Sequence, residues 1–213
     1  MEKLSHYEHE LKKRWAYPYQ WGQVQNNQYD ALTQFVYEIG TFEDVIKEVE
    51  KRYAHAPNAM ALRDYAFNRW YNFWSARAIE QVFCSLEGVT PASNPRDRLV
   101  DFSIYGVRFD HKTSVFPRNF GHDLCYAINH PARLIRWLYT QQSRQKRQHY
   151  ANRLFIVLYA TGGQHWKLKA ELTWLKTIIQ GYVTDFDAQR LWRFTFSPGT
   201  ETLSDVIWAI RCQ

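Results

Sequence analysis

The chain has 213 residues, 46% of them hydrophobic and 17% aromatic, which is enough to bury a sizeable core and excludes a disordered chain. Its formal net charge of +6 suits a polyanionic partner such as a phosphate backbone. The three cysteines, Cys84, Cys125 and Cys212, are scattered and unpaired in sequence, which argues against a disulfide framework and a structural zinc site. No stretch has the length of apolar sequence a membrane helix needs, and Met1–His6 lacks the apolar core of a signal peptide. A cytoplasmic protein with no membrane partner is expected.

The first part of the chain reads as helical. Residues 2–15 are charged and periodic, and residues 26–39 place Tyr29, Leu32, Phe35, Val36 and Ile39 at helical spacing. Residues 42–54 follow a Thr41 cap, with Glu43 and Asp44 in the first turn. After the break at Pro57-Asn58, the pattern predicts a long helix from about Ala59 to Leu86, stopped by Gly88. Thr90–Asp97 is rich in Pro, Ser, Asn and Asp and reads as a loop.

Two alternating runs follow, Leu99–Ile104 and Val107–Val115, divided by Tyr105-Gly106. Pro131 then opens a helix expected to reach about Tyr150. The run from Asn152 to Ala160 predicts a strand buried on both faces. Gly162-Gly163 reads as a turn, Trp166–Gln180 as helical, and Leu191–Phe196 and Val206–Cys212 as closing strands. Domains of 1–57, a helical region, and 58–213 are expected.

The hairpin carries the chemistry. If Tyr105-Gly106 is a two-residue turn, Ile104 faces Val107, Ser103 faces Arg108, Phe102 faces Phe109 and Asp101 faces Asp110. One face is then apolar and the other carries Asp101, Ser103, Arg108, Asp110 and Lys112. Two carboxylates opposed at about 5 Å between Cβ atoms repel unless a cation neutralises them. A hard divalent ion does so, and Lys112 returns to the same face two residues beyond Asp110. The same pattern also suits an ordinary solvated strand face, where Asp110 and Lys112 balance each other.

Glu80 lies on the line of the long helix that also carries Phe73, Ala76, Phe83 and Cys84, where a carboxylate needs a partner or an exit to solvent. Arg133, Arg136, Arg144 and Arg147 form a stripe that suits either a phosphate backbone or a solvated helix face. His111 alternates away from Asp110 and Lys112 and reads as a packed histidine, and His122-Asp123 beside Cys125 lacks a second ligand pair and reads as loop chemistry.

Together these residues resemble the PD-(D/E)XK nuclease superfamily over about residues 70–160. Asp101 stands as the strand Asp, Asp110-His111-Lys112 as the D-x-K element and Glu80 as the helix acid; Val100 replaces the family's Pro. The resemblance implies an α/β, restriction-endonuclease-like α-β-β-β-α-β core with a small mixed sheet, added to an N-terminal helical region. It implies a metal-dependent nuclease acting on nucleic acid, with DNA the expected substrate. Asp101, Asp110, Glu80 and the backbone carbonyl of His111 would bind Mg²⁺ (or Mn²⁺), and Lys112 would serve the attacking water. Two copies cutting a duplex would make a homodimer. The alternative is a nuclease-fold nucleic-acid-binding or assembly module without catalysis, and a third is a structural α/β protein. Asp110→Ala and Lys112→Ala are expected to abolish cleavage with the fold intact.

Overall fold

The computed structural model describes residues 2–21, 24–94, 99–141 and 150–212. Its helices are α1 (Glu2–Lys13), α2 (Asn27–Leu32), α3 (Phe42–Tyr53), α4 (Ala59–Cys84), α5 (Leu124–Asn129), α6 (Pro131–Gln141) and α7 (Leu172–Thr184). Its strands are β1 (Val89–Pro91), β2 (Phe102–Ile104), β3 (Val107–Val115), β4 (Arg153–Ala160), β5 (Trp192–Ser197) and β6 (Thr200–Arg211). By internal contact the chain divides into two compact units, Met1–Ile79 with Trp166–Thr173, and Glu80–His165 with Trp174–Gln213. None of the described helices is long and apolar enough to cross a membrane.

The first unit is helical. Thr41 caps α3 by accepting from Asp44 N–H (3.4 Å), with Glu43 and Asp44 in the first turn as the cap predicts. The helix expected over 26–39 is broken instead. It stops at Thr33, whose hydroxyl donates to Tyr29 O (2.7 Å) and accepts from the buried Arg69 guanidinium (2.6 Å), and a 3₁₀ turn at Gln34–Tyr37 follows. A second buried cation, Arg14, donates to Tyr17 O, Pro18 O and Asn68 Oδ1 at 2.7–2.9 Å. Each guanidinium takes several acceptors, as a charge withdrawn from water requires, although Arg14 Nε has no hydrogen-bond partner among the described residues.

The second unit is built on a mixed six-stranded sheet in the order β1-β2-β3-β4-β6-β5. The first three strands form an antiparallel meander, β4 runs parallel to β3 and β6, and β5 returns antiparallel. A parallel strand between two parallel neighbours is covered on both faces, so Arg153–Leu158 are all buried, as the unbroken apolar run predicts. On one face Leu134, Ile135, Leu138 and Tyr139 of α6 pack with Phe155, Val157 and Val206. On the other, Phe83 from the end of α4 stacks on Phe102 (ring centroids 4.3 Å apart), and Tyr182 of α7 donates to Asp205 of β6 (3.0 Å).

Two elements were not expected. β1 lies where the composition reads as loop, and it pairs Val89 with Ile104 and Pro91 with Phe102. α5 lies where His122-Asp123 reads as loop; the Asp123 carboxylate accepts from Tyr126 N–H (2.7 Å) and caps it. Residues 166–180 are split, a 3₁₀ segment at His165–Ala170 preceding α7. Of the helix expected to reach Tyr150, α6 accounts for Pro131–Gln141, and 142–149 lie outside the described residues.

The hairpin turn has the geometry a two-residue connection requires, with positive φ at Tyr105 (45°) and Gly106 (87°). It is braced by Gly88, whose carbonyl accepts from Tyr105 N–H (2.8 Å). Gly88 itself has φ +79°, and a Cβ there would lie 2.4 Å from the Tyr105 ring. Gly88→Ala should therefore cost about 1–3 kcal/mol through left-handed backbone strain and the displaced ring. Urea unfolding of the purified variant checks this, and a loss under about 0.5 kcal/mol would show that the brace contributes nothing.

Candidate active site

Three positions on β3 carry the candidate chemistry. Side chains alternate along a strand, so Asp110 and Lys112 share one face while His111 and Thr113 share the other. The hairpin register is the one the turn predicts, with Phe102 opposite Phe109, Ser103 opposite Arg108 and Ile104 opposite Val107. The ladder does not continue to Asp101 opposite Asp110. Asp101 donates its backbone N–H to Phe109 O (2.8 Å), although Phe109 is already the partner of Phe102. Two residues of one strand thus face one of the other, which is a β-bulge, and a bulge re-aims the side chain it carries.

The consequence is that Asp101 turns to His111. Its Oδ2 accepts from His111 N–H (2.8 Å) and from His111 Nδ1 (2.7 Å). This assigns the imidazole proton to Nδ1, because the carboxylate can only accept. Burial acts to raise the Asp101 pKa, but the His111 hydrogen bonds, the His111 charge and Lys112 outweigh it and hold the carboxyl below its ordinary value. His111 is itself buried at 6% exposure, with its ring near Phe83 (6.1 Å) and Phe102 (5.9 Å). Its Nε2 and the Thr113 hydroxyl have no hydrogen-bond partner among the described residues.

Asp110 has a different partner. It is 3% exposed and faces Arg153, its direct neighbour in the parallel ladder, which is 8% exposed. Arg153 Nε and Nη2 each lie 2.7 Å from Asp110 Oδ2, while Lys112 Nζ lies 3.4 Å from Oδ1. The Arg153 guanidinium lies over the Tyr139 ring (5.1 Å) and the Phe155 ring (5.7 Å), which meet each other edge to face. Lys112 keeps half of its side chain in solvent.

Glu80, near the C-terminal end of α4, is half-buried. It and Asp101 both act on the Cys84 thiol, whose pKa is pushed up to about 11 by burial first and by these two carboxylates second. The helix acid and the strand acid are therefore electrostatic neighbours of one group. Arg133 and Arg136 are exposed on α6, and Arg136 lies over Phe194 and Phe196 (5.5 and 5.7 Å); Arg144 and Arg147 fall outside the described residues.

A divalent cation suits this donor set on one observation: Lys112 is a neighbour of both carboxylates, bonded to Asp110 and lowering the pKa of Asp101. The ground they share is one that favours positive charge, and carboxylate oxygens suit Mg²⁺. No three His, Cys, Asp or Glu side chains gather as a ready cradle among the described residues, so the set is two carboxylates supplemented by backbone or water. Arg153 was not anticipated from the sequence. Its signal is a cation at the mouth of an apolar strand, which needs an acid in register on the adjoining strand.

No family model, no curated protein and no solved structure matches this chain.

A third carboxylate shows the opposite behaviour. Burial raises the Asp205 pKa, and the Val206 N–H and Tyr182 hydroxyl offset this only in part. A carboxyl raised in the fold contributes stability fully below its unfolded value of about 4, and that contribution is lost as pH rises through the folded value. Asp205→Asn should therefore stabilise the protein at pH 7, with the gain vanishing below about pH 4. Urea unfolding across that range reads it; a variant weaker than the parent at pH 7 contradicts the assignment.

Proposed function

We propose that this chain is a metal-dependent nuclease that hydrolyses phosphodiester bonds, with DNA as its substrate. The observation that carries the reading is the contact of Asp110 with a half-exposed ammonium, Lys112 (3.4 Å), on the strand whose His111 holds Asp101 through two hydrogen bonds. The element order α4-β1-β2-β3-α5/α6-β4, with β3 parallel to β4, supports a restriction-endonuclease-like core and the PD-(D/E)XK resemblance.

Asp101 and Asp110, with the His111 carbonyl, would hold Mg²⁺ or Mn²⁺, and Glu80 would take part through water. The ion supplies Lewis-acid charge at the phosphate and a lowered pKa for its water. The chain's own contributions are positional. Lys112 Nζ, reaching from a rigid strand into solvent, donates to the attacking water or to the phosphate oxygen that gains charge. His111 holds Asp101 through two hydrogen bonds, and exposed Arg133 and Arg136 contact the backbone of the nucleic acid. We place the protein in the cytoplasm, acting as a homodimer on duplex substrate.

One observation favours a second reading, a nuclease-fold nucleic-acid-binding or assembly module without catalysis. Asp110 Oδ2 is already taken by Arg153. Plasmid incubation with Mg²⁺, Mn²⁺ or EDTA separates the two, since binding without cleavage in any metal leaves only the module.

The buried Asp110–Arg153 pair changes the choice of variants. Asp110→Ala would strand a buried guanidinium, at about 3–5 kcal/mol, so lost cleavage in that variant would not separate chemistry from stability. Lys112→Ala and Asp110→Asn are the better tests. Lys112→Ala should reduce cleavage by at least about 10²-fold while unfolding within about 0.5 kcal/mol of the parent. Cleavage retained by both purified variants would remove the nuclease reading.

A further inference from the structure

We propose that Arg153 is the positioning residue of this site: by gripping one oxygen of Asp110 it presents the other, Oδ1, to Lys112 and the divalent cation. The inference rests on the nuclease reading above and extends it to a residue outside the D-x-K pattern.

The grip is geometrically complete. Asp110 and Arg153 are direct partners in the parallel ladder, and Asp110 N–H donates to Asn152 O (2.9 Å) at the same level. Nε and Nη2 meet the same carboxylate oxygen at 2.7 Å, so the two contacts together set the rotation of the carboxylate about its Cβ–Cγ bond. The guanidinium cannot follow a moving carboxylate, because it lies over the Tyr139 and Phe155 rings and Tyr139 is anchored through its hydroxyl to Ala151 O (2.9 Å). Oδ1 is thereby turned to the side from which half-exposed Lys112 approaches. A ligand whose orientation is fixed before the metal arrives loses less entropy on binding, and partners of this kind set affinity strongly.

Two simpler roles give different outcomes. A guanidinium that only balances charge is replaceable by an ammonium, and one that only competes with the metal weakens binding, so its removal strengthens it. Arg153→Lys keeps the charge but not the two-pronged contact. On the purified full chain, Mg²⁺ and Mn²⁺ binding is read by calorimetry and by metal-dependent thermal stabilisation. The expected result is affinity weakened by about 10–100-fold in Arg153→Lys. Parent-like affinity, or tighter binding, overturns the positioning role. If the Lys variant does not fold, Arg153→Gln, which keeps a planar N–H donor without charge, replaces it; weaker binding supports the role and equal or tighter binding overturns it. A parent chain that binds neither metal removes the nuclease reading and this inference together, whereas a parent that binds while the variants match it removes the inference alone.

Discussion

The Asp110–Arg153 pair decides how the second unit is assembled. Taking a carboxylate and a guanidinium out of water together costs several kcal/mol per ion, and only short contacts in good geometry recover it. Here both contacts are 2.7 Å and the cation lies over two rings. The pair also selects register. A slip of two residues between β3 and β4 would set Asp110 against Ala151 or Phe155 and leave both charges unpaired, a far larger penalty than the ladder hydrogen bonds could offset. With that register set, Lys112 falls beside Phe155 on the face that α6 covers, and its stem is long enough to bring the ammonium out to water.

The hairpin solves a different problem. Its apolar face must stay packed, with Phe102 and Phe109 fully buried and Phe102 stacked on Phe83. Its polar face would oppose two carboxylates directly if the ladder ran on. The bulge at Asp101 keeps the first and avoids the second. It moves the Asp101 carboxylate onto the His111 backbone N–H, where the carboxylate takes the place of a missing strand partner. The two acids are thus stored in separate pairs, Asp101 with His111 and Asp110 with Arg153, and Lys112 is the charge common to both.

What could be read in advance follows from how local each signal is. The two-residue turn at Tyr105-Gly106, the register of Phe102 with Phe109, the Thr41 cap and the doubly buried strand over Arg153–Leu158 depend on neighbours in sequence, and all were legible. Asp123 was a legible cap overlooked in favour of its histidine neighbour, so α5 was missed. The break at Thr33 was not legible, because it depends on Arg69, well separated from it in sequence. Arg153 and the bulge belong to the same class. An Arg at the edge of an apolar run shows its need for an acid but not which acid. A run of alternating residues shows two faces but not where the ladder ends. Side-chain pairing across a parallel crossover is a property of the assembled sheet, so the candidate ligands could be named from the chain while their orientation could not.

The distribution of exposure at the site bears on how a phosphodiester would approach it. A phosphate is repelled by carboxylates and drawn to exposed cations, and the effect falls off over about 8–10 Å at physiological salt. Asp110 has 5% of its side chain in solvent and Asp101 26%, whereas Lys112 has 50%. For the proposed substrate, the group first met would therefore be the ammonium, with Arg133 and Arg136 exposed on the helix that covers the same face of the sheet. Asp110 is buried and paired with the Arg153 cation, and Asp101 is hydrogen-bonded to His111, so neither acid is the most exposed charge at the site. Once the phosphate is held, carboxylates withdrawn into low dielectric act on a nearby cation more strongly than they would in water. An arrangement that buries its anions and displays its cations can attract a polyanion, which the proposed nuclease reading requires.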